Sequence, residues 1–443
     1  MIILGLGSNW GDRVSFLRRA IHRLKSSAPE TQIQAISPIY ESSALLPPNA
    51  PPSWDRPFLN LNVLCSSPLS SPDLLKLLKR IEAEIGRENR GRWAPREIDI
   101  DILARNDEVF SQSDLTIPHP GLLKRPFAFL PFSDLAPDWQ FPSAGPFFGK
   151  KISEILPTSS TLDAVRSNQT LTEVMGILNI TPDSFSDGDL HARPETVLET
   201  VKIWCQQGVR ILDLGAESTR PDAIAISPSE ECKRLEPILN ALQTDSQLQE
   251  SHLILSLDTR NPEVATWAIP RGIHWINDVS GFDDPKMTRI VADSGGVAVF
   301  MHSLSVPSRR DLVIPEGVDP VDLILKWAEQ KIQELLQQGV SREKLIFDPG
   351  LGFGKTPAQN WQIVRQFKKF HQLGVKTLVG HSRKSFLANV SNVPPRERDL
   401  ETAALSIDLF EKGVDYLRVH EPVLNSRALI AWSHANGVVR CQT

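Results

Sequence analysis

Apolar residues recur in two different rhythms along the chain, and the rhythm changes near residue 171. Before that point, strand-like and helix-like segments follow one another in the order strand, helix, strand, strand, helix, strand. They cover residues 2–6, 12–24, 33–40, 58–65, 72–85 and 97–103. Asp12 stands where a helix cap is expected. This order predicts an α+β domain with an antiparallel sheet.

Beyond residue 171 the pattern is repetitive. Eight short apolar runs occur, separated by helix-like segments such as 321–337 and 402–412. The runs cover residues 174–180, 209–214, 253–257, 273–276, 297–300, 345–347, 376–379 and 416–419. Eight strand–helix units within about 270 residues predict a TIM (β/α)8 barrel. A doubly wound sheet is the alternative.

A polar residue stands at or just after the end of almost every one of these runs. These residues are Asn179, Asp213, Asp258, Asn277, His302, Asp348, Ser382 and His420. In a barrel the carboxyl ends of all strands meet at one face, which carries the active site. The pattern therefore favours the barrel over the open sheet and predicts one convergent polar site.

The length of 443 residues also indicates more than one domain. We expect a first domain over residues 1–157, of the ferredoxin-like type that its strand and helix order suggests. Residues 158–170 are polar, with short side chains and no apolar period, and are expected to form a linker. The barrel should then occupy residues 171–443.

Composition excludes several classes of protein. A net charge of −5 and a pI near 6.1 give no support for a nucleic-acid or membrane-surface binder. Four cysteines without a close pair argue against zinc and for free thiols in a reducing compartment. The first residues lack the pattern of a signal peptide, and no apolar run reaches membrane-spanning length. We therefore expect a cytoplasmic protein whose ligands are small molecules.

Three polar residues of the second half form a chemically coherent set. Asp258, Asn277 and Asp348 can face a flat heterocycle that presents N–H donors beside an acceptor. A single aspartate after a strand is as often a helix cap, but three in separate units are harder to explain that way. Arg418 and His420 alternate along one strand, so both face the same side and can hold an anion.

These residues lie within five ordered motifs that resemble dihydropteroate synthase over nearly all of residues 171–443. The motifs are Met175-Gly-Ile-Leu-Asn-Ile-Thr-Pro-Asp-Ser-Phe-Ser-Asp-Gly188, Asp213-Leu-Gly-Ala-Glu-Ser-Thr-Arg-Pro221, Asp348-Pro-Gly-Leu-Gly-Phe-Gly-Lys355, Ser382-Arg-Lys384 and Arg418-Val-His420.

The resemblance implies roles for individual residues of the second half. The pterin would be bound by Asp258, Asn277, Asp348 and Lys384, with Lys384 catalytic. The pyrophosphate would be bound by Asn179, Arg418 and His420, with Asn179 helping to hold one Mg2+. The p-aminobenzoate would be bound by Thr219, Arg220, Phe353 and Ser382. A homodimer formed through this domain is also implied.

Two features of the second half need separate comment. Gly354-Lys355-Thr356 looks like the end of a phosphate-binding loop, but Pro349 occupies the place of that motif's first glycine, so we reject it. The sequence also departs from the usual pattern, with Ala216 and Asp222 at positions where glycine is common and His381 before Ser382. None of these changes removes a chemical group that the reaction needs.

In the first half, Asp99 and Asp101 are two residues apart on a predicted strand and thus on one face. The apolar residues Ile98, Ile100 and Ile102 imply that the opposite face is buried. Paired carboxylates surrounded by arginines are typical of a site for metal-bound phosphates. A solvated edge strand is the bland alternative.

This half resembles 6-hydroxymethyl-7,8-dihydropterin pyrophosphokinase over residues 1–157. The motifs are Gly5-Leu-Gly-Ser-Asn9, Arg92-Trp-Ala-Pro-Arg-Glu-Ile-Asp-Ile-Asp101, Pro118-His119 and Arg125. The sequence departs from the family at Gly86-Arg87-Glu88-Asn89-Arg90, where the second arginine is shifted by one place. The loop at residues 44–57 is longer and richer in proline than usual.

The resemblance implies a kinase site with ATP as substrate and two Mg2+ ions on Asp99 and Asp101. Catalytic roles would fall to Arg87, Arg96, Asp99 and Asp101. The nucleotide would be bound by Glu82, Arg92, Trp93, His119 and Arg125. The pterin would be bound by Phe58, Asn60 and Phe127.

The sequence as a whole thus predicts a bifunctional transferase for two consecutive steps of folate synthesis. One rival is a pterin-binding methyltransferase, which would share the aspartate and asparagine set but has no use for Lys384 or for Arg418 with His420. A second rival is an inactive pterin-binding scaffold. It predicts losses among Asp99, Asp101 and Lys384, and all three are present.

Overall fold

The computed structural model of the protein describes residues 1–27, 31–91, 93–142, 147–155, 164–167, 170–180, 194–217, 225–251, 253–309, 311–436 and 439–440. The chain divides into two compact units. The first consists of Met1–Leu171 together with Ile430–Thr443, and the second of Thr172–Leu429. The expected bounds of 158–170 for a linker and 171–443 for the barrel domain both differ from this division.

The first unit contains nine strands and three α-helices within its described residues. The strands are β1 (Ile2–Ser8), β2 (Gln32–Ile36), β3 (Tyr40–Ser42), β4 (Phe58–Ser66), β5 (Asp99–Arg105), β6 (Phe110–Ser111), β7 (Thr116–Ile117), β8 (Ala164–Arg166) and, at the end of the chain, β17 (Val439–Arg440). The helices are α1 (Arg13–Ser27), α2 (Ser71–Ile85) and α3 (Pro126–Leu135).

The sheet of this unit runs β2-β4-β1-β5, and each neighbouring pair is antiparallel. Helices α1 and α2 pack together, and their apolar residues meet those of the sheet in one buried cluster that includes Leu17, Leu78, Leu4, Leu61 and Ile100. The strand order and the two helices confirm the ferredoxin-like α+β prediction.

Local sequence signals explain where these elements begin and end. The Asp12 carboxylate accepts a hydrogen bond from the Ser15 amide at 3.1 Å and so caps α1 as expected. The strand predicted over residues 33–40 is instead two strands, because Pro38 lacks an N–H group and cannot continue the ladder. At the break, the Ser37 hydroxyl accepts a hydrogen bond from the Asn62 amide at 2.8 Å.

The region expected to be a linker contributes a strand to this sheet. Strand β8 pairs antiparallel with β3, and Tyr40 lies opposite Arg166. The Arg166 guanidinium donates to Asp134 at 2.9 Å and to the Tyr40 hydroxyl at 3.2 Å, while Tyr40 donates to Asp134 at 2.6 Å. Burial raises the pKa of Tyr40 to about 12, so the phenol stays a donor. The sequence analysis did not identify this strand, because the segment around it is mostly polar and has no apolar period.

The second unit is a closed barrel of eight parallel strands. They are β9 (Glu173–Asn179), β10 (Ile211–Gly215), β11 (Ile254–Asp258), β12 (Ile273–Asp278), β13 (Val297–Met301), β14 (Leu345–Asp348), β15 (Lys376–Val379) and β16 (Tyr416–Val419). Strand β16 pairs with β9 and closes the barrel, which confirms the TIM prediction and excludes a doubly wound sheet.

Helices lie between most of these strands. They are α4 (Pro194–Gln206), α5 (Pro228–Thr244), α6 (Ser246–Glu250), α7 (Pro262–Ala268), α8 (Pro285–Ser294), α9 (Pro320–Gln337), α10 (Pro357–Arg365), α11 (Ala388–Ser391), α12 (Asp399–Glu411) and α13 (Pro422–Asn436), which begins in the second unit and ends in the first. Across the described parts of the chain, none of the helices combines the length and apolarity needed to cross a membrane.

The barrel interior is filled by side chains from successive strands. Met175, Ile211, Val299, Ile346 and Leu378 form its buried centre. The rings of Trp275 and Tyr416 close this cluster edge to face, with their centroids 5.0 Å apart. Because the interior is packed, ligands can enter only at the carboxyl ends of the strands.

We predict that Arg166→Ala lowers the free energy of unfolding of the first unit by about 1–3 kcal/mol, because the half-buried Asp134 and the buried Tyr40 lose a charged partner. Chemical denaturation of the purified chain measures the change. Arg80→Ala is the matched control, since Arg80 is exposed and its nearest carboxylate is 3.8 Å away. Equal stability of the two variants would show that β8 does not hold the first unit together.

Candidate active sites

The register of the barrel strands brings four positions to one level at the carboxyl end. Gly215 of β10 lies beside Asn179 of β9 on one side and Asp258 of β11 on the other, and Asp258 lies beside Asn277 of β12. A side chain at Gly215 would meet the Asp258 Cβ at 3.5 Å and the Asn179 Oδ1 at 3.8 Å. Glycine therefore leaves open space between the polar groups.

The Arg418 guanidinium crosses this end of the barrel from β16. Its Nε donates to Asp213, and its Nη2 donates to Asp258 at 2.7 Å. Asp213 is fully buried and also accepts a hydrogen bond from the Asn277 amide at 3.0 Å. The structure thus joins three sequence-predicted residues, Asp258, Asn277 and Arg418, through Asp213, which the sequence analysis placed at the end of a strand but to which it assigned no ligand.

Burial sets the charge states of this network. It raises the pKa of Asp258 to about 7, although Arg418 works in the opposite direction. Burial also raises the pKa of Asp348, whose Oδ1 accepts a hydrogen bond from the Gly350 amide at 2.7 Å. Carboxylates this poorly solvated gain much from a ligand that brings N–H donors.

Lys384 lies at the edge of the same site. Its ammonium is 4.2 Å from the centre of the Phe353 ring, and its Cδ is 3.3 Å from the place that a Cβ would take at Gly352. Burial and the charge of Arg418 lower the pKa of Lys384 to about 8. Phe353 itself is buried against Val279, Met301 and Val306.

Ser382 and His420 form a second contact at the site. The Ser382 hydroxyl lies 2.9 Å from the His420 Nδ1 and accepts a hydrogen bond from the His420 amide at 3.2 Å. Ser382 is buried, and Asn179 is exposed at the end of β9. Arg418 lies in β16, whereas His420 follows the end of that strand and contacts Ser382. The expected alternation along one strand therefore does not extend to His420.

The other members of the Ser382-Arg-Lys384 motif have structural partners. The Arg383 guanidinium binds both oxygens of Asp399 at 2.7 and 2.8 Å, and its backbone has a positive φ of 59°. His381 is fully buried, with its Nε2 2.9 Å from the Ser406 hydroxyl, and burial lowers its pKa to about 4. His381 is therefore neutral and anchors the motif to α12.

Thr219 and Arg220 lie outside the described residues, but the start of their loop is fixed. The Glu217 carboxylate forms two hydrogen bonds with the Arg260 guanidinium, at 3.0 and 3.1 Å. It also accepts a hydrogen bond from the Ile226 amide at 3.4 Å. Glu217, which precedes the loop, is thus bonded to Ile226, which follows it, and to Arg260.

In the first unit, Asp99 is the most heavily paired carboxylate. It accepts hydrogen bonds from Arg87 at 2.7 Å and from Arg96 at 2.9 Å. Lys79 Nζ lies 3.7 Å from Asp99 and 3.9 Å from Asp101. Burial of Asp101 and the repulsion between its carboxylate and that of Asp99 raise the pKa of Asp101 to about 6.

A cavity of about 310 Å³ lies beside these groups. It is lined by residues 87–91 and 94–96 and by Lys79, Glu82 and Ala83 of α2. Glu82 is nearly fully buried, and its Oε1 accepts hydrogen bonds from the Ile100 amide and from Lys79, both at 2.7 Å. Glu82 thus forms a buried part of the cavity wall. Lys79, which the sequence analysis missed, is a cation close to both Asp99 and Asp101.

Of the residues expected to bind the nucleotide, His119 is tied to β5. His119 accepts a hydrogen bond from the Gly121 amide at 3.0 Å, and its amide bonds to Leu103 of β5. Burial and Arg125 lower the pKa of His119 to about 4, so it is neutral. Arg125 packs over Gly121, where a Cβ would come within 2.7 Å of its Nε. Trp93 is half-buried, and Arg92 lies outside the described residues.

The expected pterin-side residues Phe58 and Asn60 lie together over β1. Asn60 is buried and donates to the Ser42 hydroxyl at 3.0 Å. A side chain at Gly7 would come within 2.9 Å of Asn60 and 3.6 Å of Phe58, so this glycine makes room for both. Phe127 is partly buried in the neighbouring apolar cluster around Phe129 and Phe132.

The shifted arginine of the first unit does not point toward the carboxylate pair. Arg90 donates to Glu97 at 2.6 Å and to Glu88 at 2.9 Å, and its guanidinium lies 4.9 Å from the centre of the Trp10 ring. Arg56, from the proline-rich loop, lies over the same ring at 4.4 Å. These contacts join Arg90 to Glu88, Glu97 and the Trp10 ring, and Arg90 also lines the cavity described above.

Two family models match the chain. Residues 3–137 match the 7,8-dihydro-6-hydroxymethylpterin-pyrophosphokinase model, and residues 175–420 match the pterin binding enzyme model. Among solved structures, the dihydropteroate synthase of Anaplasma phagocytophilum, with bound 6-hydroxymethylpterin-monophosphate, is 33% identical with a TM-score of 0.54. The match covers 60% of this chain and all of that one. The Yersinia pestis dihydropteroate synthase, in complex with a sulfonamide drug, is 32% identical with a TM-score of 0.55, over 60% of this chain and 96% of that chain.

Relatives of similar length match the whole chain. The folate synthesis bifunctional protein of Chlamydia muridarum is 37% identical over 98% of both chains. That of Arabidopsis thaliana is 31% identical over 95% of this chain and 92% of its own. A stand-alone methyltransferase would not share this arrangement. The chain therefore belongs to the family of bifunctional folate-synthesis proteins, in which a hydroxymethyldihydropterin pyrophosphokinase is joined to a dihydropteroate synthase.

Proposed function

We propose a specific division of roles among the residues of the two sites. The first unit transfers a pyrophosphoryl group from ATP to 6-hydroxymethyl-7,8-dihydropterin. The second unit condenses the resulting pterin pyrophosphate with p-aminobenzoate to give 7,8-dihydropteroate. The network that joins Asp213, Asp258, Asn277 and Arg418 carries the assignment of the second site, because it supplies pterin acceptors and an anion-binding cation side by side.

In the second site, Asp258, Asn277 and Asp348 bind the edge of the pterin. The two buried carboxylates accept hydrogen bonds from ring N–H donors, which relieves the cost of their burial. The C–O bond at the pterin methylene breaks, and its electron pair leaves with the pyrophosphate. Arg418, His420 and Asn179 hold the departing anion.

Lys384 and Phe353 shape the place where the new bond forms. The amine nitrogen of p-aminobenzoate attacks the methylene carbon and then loses a proton. Phe353 and Ser382 line the p-aminobenzoate position, with Thr219 and Arg220 assigned to it from the resemblance alone. The lowered pKa of Lys384, about 8, keeps most of its charge at neutral pH while leaving it easier to desolvate.

In the first site, the hydroxymethyl oxygen attacks the β-phosphorus of ATP, and AMP leaves. Arg87 and Arg96 neutralise charge on the phosphates, while Arg92, Trp93, His119, Arg125 and Glu82 form the nucleotide side. Phe58 and Phe127 stack on the pterin, and Asn60 hydrogen-bonds its edge.

The residues of the first site fit divalent cations. Asp99 and Asp101 repel each other, so a cation beside both would relieve that repulsion. Among the described residues, no group of three or more histidine, cysteine or acidic side chains is suited to a metal, so the other ligands would have to come from outside the protein. Two carboxylates with the remaining positions filled by phosphate oxygens and water are the usual shell of Mg2+. We assign two Mg2+ ions to this pair, where they would neutralise the triphosphate. One further Mg2+ would share Asn179 with pyrophosphate.

We make two wider proposals. The cysteine pattern and the sequence of the first residues favour a cytoplasmic chain, and the resemblance implies a homodimer through the second unit. Analytical ultracentrifugation of the purified chain tests the dimer, since a species of twice the 49.4 kDa chain mass is expected. A concentration-independent monomer would contradict it.

We predict that Asp101→Asn abolishes pyrophosphoryl transfer and leaves dihydropteroate synthesis from pterin pyrophosphate unchanged. It should also stabilise the first unit at pH 8 by up to about 1 kcal/mol, because a desolvated charge next to Asp99 is removed. The gain should shrink as the pH falls through about 6, since the folded-state pKa of Asp101 is raised to that value and the wild-type carboxylate is then protonated.

Separate assays of the two half-reactions and thermal unfolding at pH 8 and pH 5 measure these effects. Asp107→Asn is the matched control, because Asp107 is exposed just beyond β5. Loss of both activities in folded Asp101→Asn protein would contradict independent sites. A normal kinase rate would show that phosphate binding does not use this pair.

We also predict that Lys384→Met and Asp348→Asn each reduce dihydropteroate formation more than about tenfold, with the kinase rate unaffected. Methionine keeps the length of the lysine but removes its charge. The amide of asparagine would present a donor where the pterin needs an acceptor.

Steady-state assays with synthetic pterin pyrophosphate test both variants. Lys369→Met serves as control, because Lys369 is about half exposed and 3.7 Å from its nearest carboxylate. Near-normal turnover in either variant would mean that the pterin binds elsewhere on the barrel.

A further inference from the structure

The lysine that ends the rejected phosphate-loop motif turns into the protein rather than toward a ligand. Lys355 is only 6% exposed. Its Nζ donates to the carbonyl oxygens of Phe353 at 2.8 Å, Gly350 at 2.9 Å and His302 at 3.1 Å, and lies 3.0 Å from the His302 Nδ1. All four neighbours are polar atoms of this unit, so the ammonium is fully occupied.

These carbonyl groups converge because of the glycines in the loop after β14. Gly350, Gly352 and Gly354 have φ angles of +66°, +82° and +69°, which favour glycine. A side chain at Gly350 would lie 2.0 Å from the His302 carbonyl oxygen, so the two backbones approach very closely. The Gly350 carbonyl also accepts from the Phe353 amide at 3.1 Å, and Lys355 donates to all three inward-facing carbonyls.

The charge is held at an energetic cost. Burial lowers the pKa of Lys355 to about 7, and the nearby Asp348 only partly offsets this. Burial and Lys355 lower the pKa of His302 to about 3, so the imidazole is neutral and its Nδ1 can accept from the ammonium. The other face of the arrangement is closed by the Trp327 ring, 5.0 Å from His302. Because a buried cation is costly, its close match with these acceptors indicates that it holds the surrounding backbone in a defined geometry.

The loop that Lys355 holds carries several groups of the second site. It begins at Asp348, whose Oδ1 accepts from the Gly350 amide at 2.7 Å. It continues through Gly352, against which Lys384 packs, to Phe353, whose ring lies under the Lys384 ammonium. A shift of this loop would therefore displace Phe353 relative to Lys384.

We propose that Lys355 is a positioning residue for dihydropteroate synthesis, and that its buried ammonium fixes the Gly350–Phe353 backbone so that Phe353 forms the wall of the p-aminobenzoate site. This inference rests on the proposed function of the second unit. Lys355 contacts neither substrate, because its Nζ is surrounded by protein atoms. Its effect must pass through the backbone carbonyls of Gly350 and Phe353.

A positioning role makes a specific kinetic prediction for the full chain with Lys355→Met. The KM for p-aminobenzoate should rise about tenfold or more, while the KM for pterin pyrophosphate changes less than about threefold. A lysine that only stabilised the fold would lower the active fraction, and hence the apparent kcat, without separating the two KM values. Lys355→Arg keeps the donors and serves as a second folded variant, with a smaller rise in the same KM.

Chemical rescue provides a sharper test. Lys355→Ala leaves a space lined by three carbonyl oxygens and the His302 ring. Ethylammonium can enter it and donate hydrogen bonds, so it should lower the KM for p-aminobenzoate back toward the wild-type value. Tetramethylammonium carries the same charge and ionic strength but has no N–H donor, and it should have no effect.

The same chain supplies the controls. Kinase activity of the first unit should be unchanged in every variant, and Lys369→Met should leave both KM values unchanged. Unaltered KM for p-aminobenzoate in folded Lys355→Met and Lys355→Arg protein would overturn the proposal, as would equal rescue by the two cations. A wild-type chain that forms no dihydropteroate would instead refute the proposed function itself.

Discussion

The second unit depends on one partly buried guanidinium shared by two buried carboxylates. Arg418 reaches across the barrel to Asp213 and Asp258, and it is stable there only because both partners are within hydrogen-bonding distance. The strand register, the glycine positions and the buried amide of Asn277 all serve this arrangement.

Both sites hold their charges in pairs that a substrate can exchange. In the barrel, a pterin would supply donors to Asp258 while pyrophosphate takes the guanidinium. In the first unit, Asp99 is paired with Arg87 and Arg96, which are the groups that phosphates need. Because each ligand group takes the place of an internal hydrogen-bonding partner, no buried charge is left without a partner when the ligand binds. Because the charges within each site are paired, strongly charged sites are compatible with the small net charge of the chain.

Much of this architecture is legible in the sequence. Each barrel strand is a short apolar run closed by a polar residue, and parallel strands bring such ends together whatever their separation in the chain. Asp99 and Asp101 were predictable because alternation is a local rule. The fusion of two families was visible because their motifs are long and ordered.

Other features depend on contacts that no local pattern records. Strand β8 has only three residues and stands in a polar segment, and the contacts of Arg166 with Tyr40 and Asp134 explain its place in the sheet. Asp213 and Lys79 act through partners distant in sequence or a turn away on a helix. The sequence therefore assigned no ligand to Asp213, although this residue opens a family motif, and did not single out Lys79. Lys355 resembled a phosphate-binding residue, yet the carbonyls that surround it come from a loop whose shape follows from three glycines.

The central claim is that one chain carries two complete and independent sites for consecutive reactions. The most direct measurement mixes two inactive partners, Asp101→Asn and Lys384→Met, in one assay with ATP, hydroxymethyldihydropterin and labelled p-aminobenzoate. Each variant alone should form almost no labelled dihydropteroate, and the mixture should restore it, because pterin pyrophosphate made by one chain diffuses to the other. A mixture as inactive as either variant alone, with each remaining half-reaction intact, would contradict the claim.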